Sequence, residues 1–128
     1  MDLYTTLDNL KPIVKTFCDA RDWDQFHSAK DLAIGISTEA NELLDLFRFK
    51  ADTEINTKMS DPLFRKKVEN ELADIFFFLI RFAQKNKIDL STAFTAKMAL
   101  NAQKYPVEKF KGSNRRSEER RVGKECCR

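Results

Sequence analysis

Four acidic residues stand out because each pair is spaced for one helix face and lies among apolar neighbours. Glu71 and Asp74 directly precede six bulky apolar residues, and Glu39 and Glu42 lie in a second apolar segment. Residues three apart share a helix face, and a carboxylate among apolar side chains is costly unless a cation or a hydrogen bond compensates it. Two such helices, facing each other, would form an all-oxygen pocket suited to Mg²⁺, with Mn²⁺ as a possible substitute. The alternative is that each pair is a solvated helix face.

A second group of candidates could contact phosphates. Lys97, Asn101 and Lys104 follow the spacing i, i+4, i+7, which places them on one helix face, and Tyr105 follows directly. Cations and an amide on one face suit a phosphate-directed site, although a solvated lysine face is the ordinary alternative.

Aromatic rings near the acids could stack on a nucleobase. The candidates are Trp23, Phe26, His27 and Phe49. Each alone is more often a core residue than a ligand contact, but Trp23 and His27 lie in a polar connection and are the strongest of the four.

Four helices would have to position these residues, and the first two precede the Glu71 pair. The first is predicted to begin near Asp8 or Asn9, to hold Pro12 in its first turn, and to end near Arg21. Ser28, with Asp31 three residues later, resembles a capping box, so the second helix is predicted over 29–49. The polar residues 51–59 are predicted to form a loop.

The third and fourth helices have clearer start signals. Asp61 before Pro62 predicts a third helix that extends to about Asn86. Asp89, with Ser91 and Thr92, opens a fourth helix of about fifteen residues that ends at Pro106, and residues 107–111 are predicted to be extended. Strand alternation, internal repeats and glycine-rich phosphate loops are absent from the sequence, so the fold class is all-α.

Length and charge predict one domain over residues 1–111 followed by a tail over 112–128. The tail accounts for the whole net charge of +3, so the domain itself is neutral and nucleic-acid binding loses its main support. The tail resembles read-through into a cloning vector and is set aside, the competing interpretation being a genuine basic arm.

The remaining composition bears on compartment and assembly. Apolar runs are too short to span a bilayer, and Cys18 is the one cysteine before the tail, so we expect a cytoplasmic protein with no membrane partner. The apolar run after Asp74 exceeds what one stripe of a four-helix layer buries, and a second copy of the chain would cover the excess. We therefore expect a homo-oligomer.

These motifs together resemble a known family. Glu39-x-x-Glu42, 28 intervening residues and Glu71-x-x-Asp74 are similar to the metal motif of the MazG-like all-α nucleoside triphosphate pyrophosphohydrolases. The segments 21–27, 71–74 and 104–106 resemble the dCTP pyrophosphatase branch of that family, and the resemblance covers about residues 10–111.

The resemblance implies a four-helix bundle that assembles as a homodimer or a dimer of dimers. It also implies Mg²⁺-dependent cleavage of (d)NTP to (d)NMP and pyrophosphate, with house-cleaning of dNTPs and a preference for dCTP or related pyrimidines. The four acids would hold the metal, and Glu39 or Glu42 would orient or deprotonate the attacking water. The positions that match substrate contacts are Trp23, His27, Phe49, Lys97, Asn101, Lys104 and Tyr105.

Three positions depart from the family pattern. Thr38 stands where many MazG proteins have a further glutamate, which removes one potential ligand and agrees with the dCTP pyrophosphatase type. Phe78 stands where that branch often has a tyrosine near the substrate, and Phe49 replaces what is often a tryptophan.

Two other functional classes are alternatives to this interpretation. A non-catalytic helical interaction protein with structural acid pairs is the alternative that stays open. A di-iron carboxylate bundle is excluded because it needs Glu-x-x-His on two helices, and the chain has one histidine, His27, which does not follow a glutamate at that spacing.

Overall fold

The computed structural model describes residues 1–112, and the regular structure within them is helical. The helices are α1 (Leu7–Ala20), α2 (Ala29–Asp45), α3 (Asp52–Lys58), α4 (Pro62–Lys85), α5 (Leu90–Lys104) and α6 (Val107–Phe110), with a 3₁₀ turn (Asp24–Phe26) between α1 and α2. The all-α prediction is confirmed. The chain divides into two compact units, of which the first is Met1–Ile88 and the second begins at Asp89. All of the predicted tail after residue 112 lies outside the described residues.

Side-chain caps define where the long helices begin. Ser28 accepts a hydrogen bond from the Asp31 N–H, Asp61 accepts from the Phe64 N–H, and Asp89 accepts from the Thr92 N–H. Each cap satisfies an N–H group that has no partner inside its helix. The predicted starts of α2, α4 and α5 are confirmed at these residues.

Helix α1 begins earlier than predicted. Thr6 is its cap, and the Thr6 and Asn9 side chains each accept a hydrogen bond from the other residue's N–H, at 3.2 and 2.9 Å. The prediction that Asp8 or Asn9 caps the helix is therefore wrong. Pro12 consequently lies in the second turn rather than the first, where its missing N–H costs one helical hydrogen bond.

Three other boundaries differ from prediction. Helix α2 ends at Asp45 rather than Phe49, and Phe49 takes a positive φ of 65°. The predicted loop over 51–59 contains α3, and the predicted extended segment over 107–111 contains α6. Helices of seven and four residues are too short to display a clear apolar period, so the pattern did not reveal them.

Helix α4 is the centre of the first unit. It packs most extensively against α2 and also against α1. Val14 and Cys18 of α1 form a buried cluster with Ile80 of α4, against which Leu10 and Phe77 pack. Because α4 contacts both neighbours, it fixes the elements that carry the candidate site.

The first unit leaves large apolar side chains exposed on the helices that carry the acids. They are Ile34 and Leu44 on α2 and Leu63, Leu72, Phe76 and Leu79 on α4. Within residues 1–112, none of the helices combines the length and the apolar character that crossing a bilayer requires.

Candidate metal centre and nucleotide site

Helices α2 and α4 lie antiparallel, and their contacts bring the two acid pairs together. Phe47, near the end of α2, packs edge-to-face on Phe64, near the start of α4, with 5.7 Å between ring centroids. Near the start of α2, Gly35 lies against the Phe78 ring, which is late in α4. The acids lie between these two contacts, so that Glu42 faces Glu71 and Glu39 faces Asp74.

The absence of a side chain at Gly35 permits this close approach. A Cβ atom at Gly35 would lie 2.6 Å from the Phe78 ring, closer than real Cβ atoms approach a neighbour. Gly35 is one turn before Glu39, and Phe78 is one turn after Asp74. The contact therefore sets the helix separation beside the acids.

Three of the acids converge on one point. One carboxylate oxygen from each of Glu39, Glu42 and Glu71 lies within 4.8 Å of the others. Asp74 borders this group, since its charge acts on the Glu39 carboxyl. In the part of the chain that the structure describes, no lysine or arginine forms an ion pair with any of the four. The sequence prediction that the two pairs face each other agrees with this arrangement.

The environment of Glu39 and Glu71 disfavours the charged forms of these two carboxyls. Burial raises the pKa of Glu39 above its ordinary value, and the charges of Glu42 and Asp74 raise it further. Burial likewise raises the pKa of Glu71, followed by the charges of Glu42 and Asp74. Mutual repulsion of carboxylates in a partly desolvated place is the physical cause.

One buried oxygen of the cluster is an unsatisfied hydrogen-bond acceptor among the described residues. Glu71 Oε1 is buried and, among the described residues, receives no hydrogen bond. A buried charged oxygen without a partner is expensive, and a hard divalent cation is a partner that oxygen donors of this kind prefer. The residues present therefore fit a hard divalent cation, which Glu39, Glu42 and Glu71 could hold.

Three of the predicted ring residues of the first unit, Trp23, His27 and Phe78, belong to one chain of edge-to-face contacts. Trp23 contacts His27 at 6.2 Å and Phe17 at 5.6 Å between centroids. Phe17 contacts Phe77 at 5.9 Å, and Phe77 contacts Phe78 at 5.2 Å. The structure thus links Trp23 and His27 to Phe78, which touches α2 next to the acids.

Phe49 is placed differently. Its side chain is 97% exposed, and its ring lies 5.8 Å from the Arg48 guanidinium carbon. A bulky residue with a positive φ is uncommon and carries backbone strain. Its predicted role in the base pocket stays a prediction.

The predicted phosphate contacts belong to the second unit, which is described by itself. Lys97, Asn101 and Lys104 lie on α5, with Asn101 half-buried and both lysines exposed. Tyr105 caps the helix by donating its N–H to the Asn101 carbonyl at 2.8 Å, and its ring packs on Phe110 at 5.1 Å. The roles of all four stay predictions.

A buried cation beside the rings was missed by the sequence analysis. Arg81 is 2% exposed, and its guanidinium donates to His27 Nδ1 at 3.1 Å, to Gln84 Oε1 at 2.8 Å and to Asp24 Oδ1 at 3.2 Å. Lys85 also pairs with Asp24. The sequence did contain a signal, because an arginine that directly follows the most apolar run must have its charge compensated if it is buried, as the acids must.

Comparison with known proteins places these features in a family. No family model matches the chain. The chain is 35% identical over 108 residues to dCTP pyrophosphatase 1 of Mus musculus and 32% identical over 111 residues to that of Homo sapiens, matches that cover 84% and 87% of this chain. They cover 64% and 65% of those relatives, so the chain spans a little under two thirds of their length.

This chain covers a larger share of one solved structure than of those relatives. A pyrophosphatase from Archaeoglobus fulgidus matches with a TM-score of 0.74 and 31% identity, over 80% of this chain and 94% of that one. This chain belongs to the MazG-like pyrophosphatases. The family resemblance predicted from the sequence is thereby confirmed over most of the chain.

Proposed function

We propose that this protein is a divalent-metal-dependent nucleotide pyrophosphohydrolase that cleaves (d)NTP to (d)NMP and pyrophosphate. The observation that carries the proposal is the convergence of three carboxylates, one with a buried unpartnered oxygen, on antiparallel helices. The relatives named dCTP pyrophosphatase 1 and pyrophosphatase support the reaction class. Among substrates we favour dCTP or a related pyrimidine deoxynucleotide, in a house-cleaning role.

The carboxylates have two tasks in this mechanism. Glu39, Glu42, Glu71 and Asp74 would hold Mg²⁺, which supplies charge withdrawal from the phosphate oxygens and acidifies water. Glu39 or Glu42 accepts a proton from the attacking water, whose oxygen forms a bond to the α-phosphorus. The bond from that phosphorus to the bridging oxygen breaks, and pyrophosphate leaves with that oxygen.

The remaining predicted residues hold the nucleotide. Trp23, His27, Phe49 and Phe78 would surround the base, where rings offer stacking and His27 a hydrogen bond. Lys97, Asn101, Lys104 and Tyr105 would contact the triphosphate or the sugar, because cations neutralise charge that accumulates on the departing phosphates.

We further propose a homodimer or a dimer of dimers. The exposed apolar residues of α4, such as Phe76 and Leu79, and the absence of buried residues on α5 support a second copy as cover for these faces. The cytoplasm remains our proposed location, where the buried thiol of Cys18 stays reduced.

The test is pyrophosphate release from a panel of NTPs and dNTPs with Mg²⁺ and then with EDTA. Wild type is compared with Glu42→Ala and Asp74→Ala, and with Glu69→Ala, an exposed acid on α4, as the matched control. The proposal is supported if release disappears with EDTA and in Glu42→Ala and Asp74→Ala but persists in Glu69→Ala. A folded protein that releases no pyrophosphate from any nucleotide would contradict it and favour the helical interaction protein.

A further inference from the structure

The environment of His27 determines which ring nitrogen carries the proton. Nε of Arg81 carries a hydrogen that it always donates, and it lies 3.1 Å from His27 Nδ1. Nδ1 must therefore be the unprotonated acceptor. In a neutral imidazole the proton then resides on Nε2, which becomes a hydrogen-bond donor.

Arg81 is itself held in a single geometry. Its three hydrogen bonds fix the guanidinium plane, and the side chain is almost completely buried. Gln84, which accepts from Arg81, donates its own Nε2–H to the Lys11 carbonyl at 3.0 Å. The arginine is thus tied to α1 and to the connection before α2.

The negative charge that compensates Arg81 is shared. Asp24 accepts from Arg81 and also from Lys85, and the Lys85 contact is the main reason that the pKa of Asp24 lies below its ordinary value. Asp24 therefore stays ionised, and it holds the 3₁₀ turn that precedes His27 against α4. The position of the imidazole follows from this anchor.

Burial and the nearby positive charges both disfavour the protonated form of His27. Burial lowers its pKa first, and the charges of Arg81 and Lys85 lower it further, against the opposing effects of Asp24 and Asp31. A protonated ring would also place an N–H against the Arg81 N–H. Geometry and charge agree on one neutral form.

We propose that Arg81 is a positioning residue that locks His27 in the Nε2–H form, so that the ring offers a fixed donor to an acceptor atom of the nucleotide. Base carbonyl oxygens and unprotonated ring nitrogens are acceptors of this class, both present in cytosine. The proposal rests on the proposed function through the role of His27 in the base site. It adds a residue whose action passes through another side chain.

Nuclear magnetic resonance of the free protein tests the lock directly. The chain has one histidine, so long-range ¹H–¹⁵N spectra of the full, ¹⁵N-labelled protein report His27 alone. A protonated Nε2 and an unprotonated Nδ1 at neutral pH would support the proposal. A protonated Nδ1, or a mixture of both forms, would overturn it without any variant.

Kinetics of Arg81→Met separate positioning from catalysis. We expect KM for dCTP to rise roughly tenfold, the loss of about one hydrogen bond, with kcat nearly unchanged and a His27 ring that becomes a mixture of forms. Lys67→Met, an exposed residue of the same helix, is the control that leaves KM unchanged. An unchanged KM in Arg81→Met, with folding confirmed by circular dichroism, would overturn the proposal.

A double-mutant cycle tests whether Arg81 acts through His27. In a His27→Phe background, Arg81→Met is expected to raise KM no further, whereas a full additional tenfold increase would refute action through the ring. If Arg81→Met does not fold, the wild-type tautomer decides the proposal alone. Failure of wild type to release pyrophosphate refutes the proposed function and the nucleotide contact, while the tautomer still decides whether Arg81 positions the ring.

Discussion

Gly35 lies so close to the Phe78 ring that a methyl group does not fit between them, since a Cβ on Gly35 would approach the ring to 2.6 Å. The contact lies one helical turn from Glu39 on α2 and one turn from Asp74 on α4. This pair of residues therefore sets both the separation of α2 and α4 at the acids and the position of the Phe78 ring near the proposed base site.

The first prediction concerns this pair. Gly35→Ala should lower the free energy of unfolding by about 1 kcal/mol or more, because the overlap outweighs the roughly 1 kcal/mol gain in helix propensity. In a Phe78→Ala background the same substitution should stabilise, since the space is then free. Urea unfolding of the four proteins gives the sign in each background, and destabilisation of similar size in both would show that the ring is not the cause.

The second prediction separates stability from activity in the acid cluster. Glu71→Gln removes a partly desolvated negative charge, so the metal-free protein should become more stable, while Mg²⁺-dependent activity should fall by roughly 10²-fold or more. Thermal unfolding with EDTA and with Mg²⁺ measures both effects. Glu69→Gln on the same helix should change neither the metal-induced rise in Tm nor the activity, and an equal loss there would argue against a specific site.

The third prediction is a pH dependence. The pKa values of Glu39 and Glu71 are raised on folding, so the folded protein holds protons that the unfolded chain has released. Stability without metal should therefore fall as pH rises from the ordinary value of 4.5 through the raised values. Mg²⁺ should reduce this loss because it competes with the protons.

His27 acts in the opposite direction and must be separated from the acids. Its pKa is lowered on folding, so its contribution to stability rises with pH up to its ordinary value of 6.5. Denaturant unfolding across pH in EDTA, for wild type and Glu71→Gln, isolates the carboxyl contribution as the difference. Identical pH profiles of the two proteins would contradict it.

The fourth prediction concerns Phe49, which combines a positive φ with a nearly fully exposed ring. Asparagine tolerates a positive φ, so Phe49→Asn should change the free energy of unfolding by less than about 0.5 kcal/mol. KM for dNTP should nevertheless rise several-fold if the ring stacks on the base, and Phe49→Trp should restore it. Equal KM values in the three proteins would remove Phe49 from the base site.

The fifth prediction tests the second copy. Phe94 on α5 is 67% exposed, so Phe94→Arg should cost the single chain little, yet should shift sedimentation towards a smaller species. Gln103→Arg adds the same charge at an exposed polar position of the same helix and is the control. Equal masses for Phe94→Arg and wild type would place any interface elsewhere.

Local sequence signals predicted most of the fold and the acid cluster. Asp61-Pro62 and Ser28 each combine a cap with a following helical pattern, so their helices were predictable from a few residues. The acid pairs were predictable because two signals point to the same residues, such as Glu39 and Glu71. These signals are the helical spacing of the acids and the free-energy cost of placing a carboxylate among apolar neighbours. Helix α3 offers neither signal, since Ala51 provides no side-chain cap.

The Arg81 network depends on information that is not local. His27 and Arg81 are 54 residues apart, and Asp24 and Arg81 are 57 apart. Their pairing depends on how the connection after α1 folds back over α4, which no periodicity encodes. The sequence analysis therefore predicted neither the burial of Arg81 nor its partners.

The antiparallel arrangement of two equally spaced acid pairs has one more consequence. Exchanging α2 with α4 maps Glu39 onto Glu71 and Glu42 onto Asp74, so the cluster has an approximate local twofold axis between the helices. A nucleoside triphosphate has no such axis, and the carboxylates alone cannot distinguish its two ends. In the proposed function, the orientation of the bound substrate must be determined by the residues on either side of the cluster. One end of the cluster has Gly35 with the Phe78 ring, and the other has Phe47 with Phe64.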